Sequence, residues 1–183
     1  MWFQMVSFIL DVVVGLFAGA ALLRMYMQRM RVPFGNPLGQ LVFTLTDWAV
    51  LPLRSVLPGW GRWDIASLVV AFALLLVEHA ALALLAGAQA GVVAVLAMSA
   101  FGLARLVVSG LSGILIVYAV LTWFQGRTLW SDVFNRLCEP LLAPIRRVLP
   151  RAGGFDFSAL VALVLLQLVS IALGEFSRRG WAI

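Results

Sequence analysis

Lysine is absent from this 183-residue chain: all 13 basic residues are arginine. Charge of either sign is scarce, at 11% of residues, where ordinary soluble domains hold roughly 25%. One cysteine, Cys138, excludes an internal disulfide and any multi-cysteine metal site. One histidine, His79, excludes a two-histidine metal or haem clamp within a single chain. No phosphate loop, nucleophile–base pair or carboxylate pair framing a substrate cleft stands out, and Gly153-Gly154 reads as a turn. Neither enzymatic activity nor a cofactor or metal is therefore expected.

What the chain has in abundance is apolar surface: 63% of its residues are hydrophobic and its mean hydropathy is +1.05. One small core cannot hide that much, so lipid is the natural solvent for the excess. The net charge of +5 comes from arginines at the ends of apolar runs. That placement sets membrane orientation; it is not a phosphate-binding face, and no nucleic acid contact is expected.

Four runs are long enough to span as helices: about Trp2–Met27, Ile65–Leu85, Leu106–Phe124 and Phe157–Phe176. At 1.5 Å per residue, ~20 residues cross a ~30 Å hydrocarbon core. The first run lacks a positively charged flank before it, so it reads as a retained span and not as a cleaved signal peptide.

A shift of 92 residues lays Pro52 on Pro144, Arg54 on Arg146, Pro58 on Pro150, Gly61 on Gly153 and Asp64 on Asp156 without a gap. Upstream, Tyr26 falls on Tyr118 and Asp47 on Glu139. This is an internal duplication. The fold class that follows is an all-α membrane protein, with four transmembrane helices in two tandem helix–amphipathic loop–helix repeats. The repeats are assigned to residues 1–86 and 105–183. The Gly- and Ala-rich residues 87–104 are expected to be a re-entrant or interfacial connector, since same-sided loops require an even number of crossings between them.

Arg24, Arg29, Arg31, Arg54 and Arg62 gather around the first loop. Arg127, Arg136, Arg146, Arg147 and Arg151 gather around the second. The positive-inside rule then puts both loops in the cytoplasm and both termini outside, with Arg178 and Arg179 as mild counter-evidence. Within the first loop, Asn36 and Pro37 are a helix start. Leu38, Leu41, Val42, Leu45, Trp48 and Ala49 then follow at helical spacing. Trp130, Val133, Phe134 and Leu137 repeat the design, which predicts amphipathic helices at the membrane interface, a packed helix lid over the span ends being the alternative with the same pattern. Asp64 and Asp156 are expected to cap the spans that follow. Arg54, Arg62, Arg136, Arg146, Arg147 and Arg151 are the expected contacts to anionic lipid or to an unidentified membrane-protein partner.

Charges at membrane depth are costly and mark pairing or function. Asp11, Glu78, His79 and Arg105 form an expected intramembrane polar cluster, with Asp11 pairing Arg105. Gln167 is expected to bond between helices, and Gly15–Gly19 matches a GxxxG packing signal.

The acid, Pro, Arg, Leu-Pro, Gly and Asp block of both units, fullest in Glu139–Arg147 with Gly153, Asp156 and Ser158, resembles the YggT family of bacterial membrane proteins in its two-unit form. The likeness covers nearly the whole chain. The first unit departs at Trp48, where the second has Pro140, and at Ala66, where it has Ser158. The resemblance implies the bacterial inner membrane as the location. It also implies links to osmotic-stress tolerance and cation uptake, to cell division or nucleoid placement, and in plastids to cytochrome maturation. It brings no catalytic residues. Three expectations follow. The first is a non-enzymatic scaffold or assembly factor acting through the arginine-rich loops. The second is a cation pathway, or a modulator of one, which in a four-span chain needs a homo-oligomer. The third is an indirect role in cytochrome or haem maturation.

Overall fold

Six helices make up most of the residues that the computed structural model describes, which are 1–57, 63–87, 91–123, 129–147 and 157–180. They are α1 (Trp2–Arg29), α2 (Pro37–Arg54), α3 (Ile65–Leu85), α4 (Val92–Trp123), α5 (Leu129–Arg146) and α6 (Phe157–Gly180). Four of them, α1, α3, α4 and α6, are long and apolar enough to cross a membrane, and α2 and α5 are the loop helices. The protein is thus an all-helical membrane protein, as its composition requires.

The second span has the bounds read from hydropathy, Ile65–Leu85. The third does not. Hydropathy began it at Leu106 and set 87–104 apart, whereas α4 starts at Val92 and runs without interruption to Trp123. Alanine is the best helix former, and a single interior glycine costs only about 1 kcal/mol. Weak hydrophobicity therefore marked no break in the backbone. The break lies earlier, at Ala86 and Gly87, where Gly87 takes a positive φ of 64°.

The chain divides into two compact units, Met1–Val107 and Val108–Ile183. In the first, α1 and α3 pack through small side chains: Ala18, Ala21 and Leu22 meet Ala66, Val70, Ala71 and Leu75, and Val50 of α2 joins them. Small residues let helix backbones approach where hydrophobicity offers no drive between helices in lipid. The GxxxG glycines are not the closest contact, because a Cβ on Gly15 or Gly19 would meet nothing within 4 Å.

The connection from α1 to α2 is specified locally. The N–H of Val32 donates to the Met27 carbonyl (3.0 Å) and that of Arg31 to the Gln28 carbonyl (3.2 Å). Buried Val32 packs beyond buried Met27, which completes a Schellman turn. Arg31, with φ of 54°, holds the left-handed position that glycine usually takes. Asn36 then caps α2, its Oδ1 accepting from Gly39 N at 2.8 Å, and Pro37 opens the helix. A Cβ on Gly39 would run into the Phe34 carbonyl, so this turn requires glycine. Phe34 stacks on Phe43 at 4.6 Å between centroids.

The buried face of α2 is Gly39, Val42, Thr46 and Val50. The apolar stripe read from sequence is divided: Val42 is buried, Leu38, Leu45 and Ala49 are half-buried, and Leu41 and Trp48 are exposed. In the second unit α5 packs on α6. Its buried face is Val133, Phe134, Leu137, Cys138 and Leu142, close to the stripe expected there.

Candidate functional site

The polar residues of the first unit converge at the loop ends of α1 and α3. Arg24, 2% exposed, lies one turn inside the end of α1 and is the hub. Its Nη1 donates to Thr46 Oγ1 and to Asp47 Oδ1, both at 2.7 Å, and its Nε stands 3.8 Å from Asp64 Oδ2. The guanidinium also lies over the Phe43 ring, 4.7 Å from its centroid. Asp64 caps α3, accepting from Ser67 N (3.3 Å) and Ser67 Oγ (2.7 Å), and it pairs with Arg54. Arg54 Nη2 reaches back to Gln28 Oε1 of α1 at 3.1 Å. Two arginines and two carboxylates thus form a neutral clasp that fastens α2 across α1 and α3. Burial pushes the Asp64 carboxyl upward, but the bonds from Arg54 and Ser67 and the Arg54 charge outweigh it, so it titrates below the usual aspartate range.

Among the described residues, the second unit builds a related clasp on Arg146. Arg146 donates to Tyr118 Oη at 2.7 Å and to Glu139 Oε2 at 3.1 Å. Ile116 stands where the offset places Arg24, and Cys138 where it places Thr46. Cys138 Sγ donates weakly to the Ile114 carbonyl at 3.9 Å. Burial pushes its thiol up to about 12, against the opposing pull of Arg146.

This geometry sorts the arginines expected at lipid or partner. Arg54 and Arg146 hold ion pairs within their own units, with Asp64 and Glu139, and Arg54 remains exposed beside its pair. Arg136 and Arg147 are exposed, and no described ion pair uses them. Arg31, absent from the expected set, is exposed in the same way, and Arg29 lies over the Trp63 ring at 5.3 Å. Pro52 lies within α2 and Pro144 within α5. Arg62, Arg151, Pro58, Pro150 and Asp156 fall outside the described residues. Sequence reasoning saw Arg24 only as part of a charge count. A lone arginine one turn inside an apolar run, followed by a loop with one acid in its middle and one at its far end, was the available signal.

The intramembrane residues do not form one cluster. Asp11 meets Glu78 between α1 and α3, and not Arg105 as expected from their matching depth. Arg105 is exposed, with no described ion pair. His79 faces α4 instead. Its Nδ1 donates to the Leu75 carbonyl at 2.7 Å, and a Cβ on Gly102 would lie 3.1 Å from its Cε1. Ser99 bonds the same Leu75 carbonyl at 3.4 Å. Gln167 is exposed, and none of the described hydrogen bonds uses it. Among the described residues no group of three or more His, Cys, Asp or Glu side chains is placed to hold a metal ion.

Comparison with known proteins accords with this two-unit organisation. The CCB3/YggT family model matches residues 3–85 and again residues 97–176. A Vibrio alginolyticus protein from the proC 3' region is 32% identical over 178 residues, 96% of each chain. The YggT protein of Escherichia coli K12 is 34% identical over 175 residues, covering 92% of this chain and 89% of its own. A Pseudomonas aeruginosa protein is 33% identical over 168 residues, 90% of this chain and 85% of its own. All three are uncharacterized proteins. No solved structure matches the chain. With matches that cover nearly its whole length in two consecutive segments, the chain belongs to the CCB3/YggT family of membrane proteins.

Proposed function

We propose that this protein is a non-enzymatic scaffold or assembly factor of the bacterial inner membrane, acting at the cytoplasmic face through arginines on its two loops. The observation that carries this reading is the division of labour among those arginines. Arg24, Arg54 and Arg146 hold the loop helices to the spans, while Arg31, Arg136 and Arg147 are exposed without a described carboxylate partner. Exposed guanidinium groups with no described ion pair, on α5 and on the turns beside the loop helices, suit anionic headgroups or an acidic partner. Arg31 adds weight, because an arginine held at a left-handed position costs roughly 1–2 kcal/mol that glycine would not. Such strain is retained where the side chain is needed. Tolerance of osmotic stress and organisation of the envelope or division site are the roles this reading would serve.

The test is photo-crosslinking in living cells from Ser55 and Arg147, both exposed. A discrete protein adduct that disappears in Arg31→Gln, Arg136→Gln supports the reading. Adducts unchanged by neutralising those residues would overturn it.

A second reading, a cation pathway or a modulator of one, rests on the meeting of Asp11 and Glu78 between two spans. Cation flux from purified protein in liposomes, lost in Asp11→Asn and Glu78→Gln, would support it. Unchanged flux would remove the site.

A further inference from the structure

The two loop helices keep the same inward rows and have different outward faces. Val42, Thr46 and Val50 of α2 are buried, and the positions 92 residues on, Phe134, Cys138 and Leu142 of α5, are buried too. Outward, α5 exposes Asp132, Asn135, Arg136 and Glu139. The matching residues of α2 are Gln40, Phe43, Thr44 and Asp47, and the one charge among them, Asp47, is turned to Arg24 as Glu139 is to Arg146. That leaves Asp132 and Arg136 as the charges that only α5 carries outward. The exposed face of α2 beyond Gln40 is instead Leu41, Thr44, Trp48 and Leu51, a stripe in which the three large apolar residues are 53–62% exposed.

From this contrast we infer that α2 is sunk into the acyl layer, with lipid chains covering Leu41, Thr44, Trp48 and Leu51, while α5 stays at the water boundary. Three observations support lipid over water or a protein partner. Trp48 packs edge-on against Phe17, 6.1 Å between centroids. Phe17 lies seven residues before Arg24 in α1, about 10 Å further into the span at 1.5 Å per residue. Beside it on α1, Val13 and Leu16 are 46% and 56% exposed, so the stripe of α2 continues a face that a spanning helix already gives to lipid. The third observation concerns polar atoms. Thr44 Oγ1 donates to the Gln40 carbonyl at 2.9 Å, and Trp48 Nε1 to the Leu45 carbonyl at 2.8 Å. The Thr44 hydroxyl and the Trp48 indole N–H are thus both satisfied within their own helix, as a hydrocarbon environment demands. The outward charges of α5 need water.

The inference rests on the proposed function only in placing both loop helices at the membrane face. It is tested on the full chain in nanodiscs, where both faces are open to solvent. Leu41→Cys, Leu51→Cys, Asn135→Cys and Arg136→Cys are each labelled with an environment-sensitive fluorophore. Quenching is then compared between lipids with a nitroxide midway along the acyl chain and aqueous iodide. Lipid nitroxide should quench severalfold more strongly at 41 and 51 than at 135 and 136, with the order reversed for iodide. Equal iodide quenching at all four sites overturns the inference, as does protection of 41 and 51 from both quenchers, the result expected if a second copy or a partner covers the stripe. Thr44→Cys, a smaller change, repeats the comparison if a leucine variant fails to fold. Quenching reports depth alone, so a negative result leaves the arginine crosslinking test standing.

Discussion

Arg54 and Asp64, ten residues apart, join the last turn of α2 to the cap of α3, and Asp64 also faces Arg24 on α1. One carboxylate thereby touches all three helices of the first unit that its loop connects. Asp64→Ala removes a cap and leaves Arg24 buried with a single acid. Breaking a buried pair from one side costs about 3–5 kcal/mol, and the lost cap adds about 1. We expect a large fall in thermal stability in detergent or nanodiscs. Neutralising exposed Arg136 or Arg147 should change stability by no more than about 0.5 kcal/mol.

The same carboxylate gives the fold an acid limit. Asp64 titrates below its usual range in the folded protein, held there by Arg54 and Ser67 against the effect of burial. Its contribution is therefore complete above the unfolded value, about pH 4, and is lost as pH falls through the lower folded value. Stability of the wild type should drop on acidification below about pH 4, and Asp64→Asn should be less stable at neutral pH and flatter across that window. An equally steep acid loss in Asp64→Asn would assign the transition to other carboxylates.

Gly39→Ala tests the turn between α1 and α2. The added methyl would strike the Phe34 backbone carbonyl, which cannot rotate away as a side chain tip can. Overpacking of this kind costs about 1–3 kcal/mol. Proteolysis of the loop should become faster in Gly39→Ala, whereas Gly15→Ala, with open space around it, should be silent.

Local signals were legible in the sequence, and rotational ones were not. Asn36, Pro37 and Asp64 lie where capping chemistry puts them, because a cap depends on its own next three residues. The start of α4 was misjudged because hydropathy reports partition into lipid and not helix formation. The spacing of Leu41, Val42, Leu45 and Trp48 marks an apolar stripe on α2 but does not say which of its members face the spans. Beside a bilayer Leu41 and Trp48 can turn out to lipid, which leaves Thr46 and Asp47 to meet Arg24. The repeat offset gave Asp11 and Arg105 a common depth, yet depth says nothing of azimuth, and Asp11 faces Glu78.

Cys138 should be chemically silent. Its side chain is fully buried under α5, and its thiol is pushed up to about 12. The thiolate is the reactive form, so almost none is present at neutral pH. Maleimide should fail to label native wild-type protein and should label it stoichiometrically after denaturation. Ready labelling of the folded protein would mean that α5 lifts from its unit in solution.

Arg31→Gly separates a structural role from a surface role at one position. Glycine adopts the left-handed turn without the roughly 1–2 kcal/mol that an L side chain incurs, and it returns about 0.5–1 kcal/mol in lost unfolded-chain entropy. The variant should therefore be as stable as the wild type, or more stable by up to about 1 kcal/mol. If Arg31 is retained for contact with anionic groups, the same variant should bind anionic vesicles more weakly, with the deficit shrinking as salt is raised. A more stable protein with undiminished vesicle binding would show that Arg31 serves neither purpose.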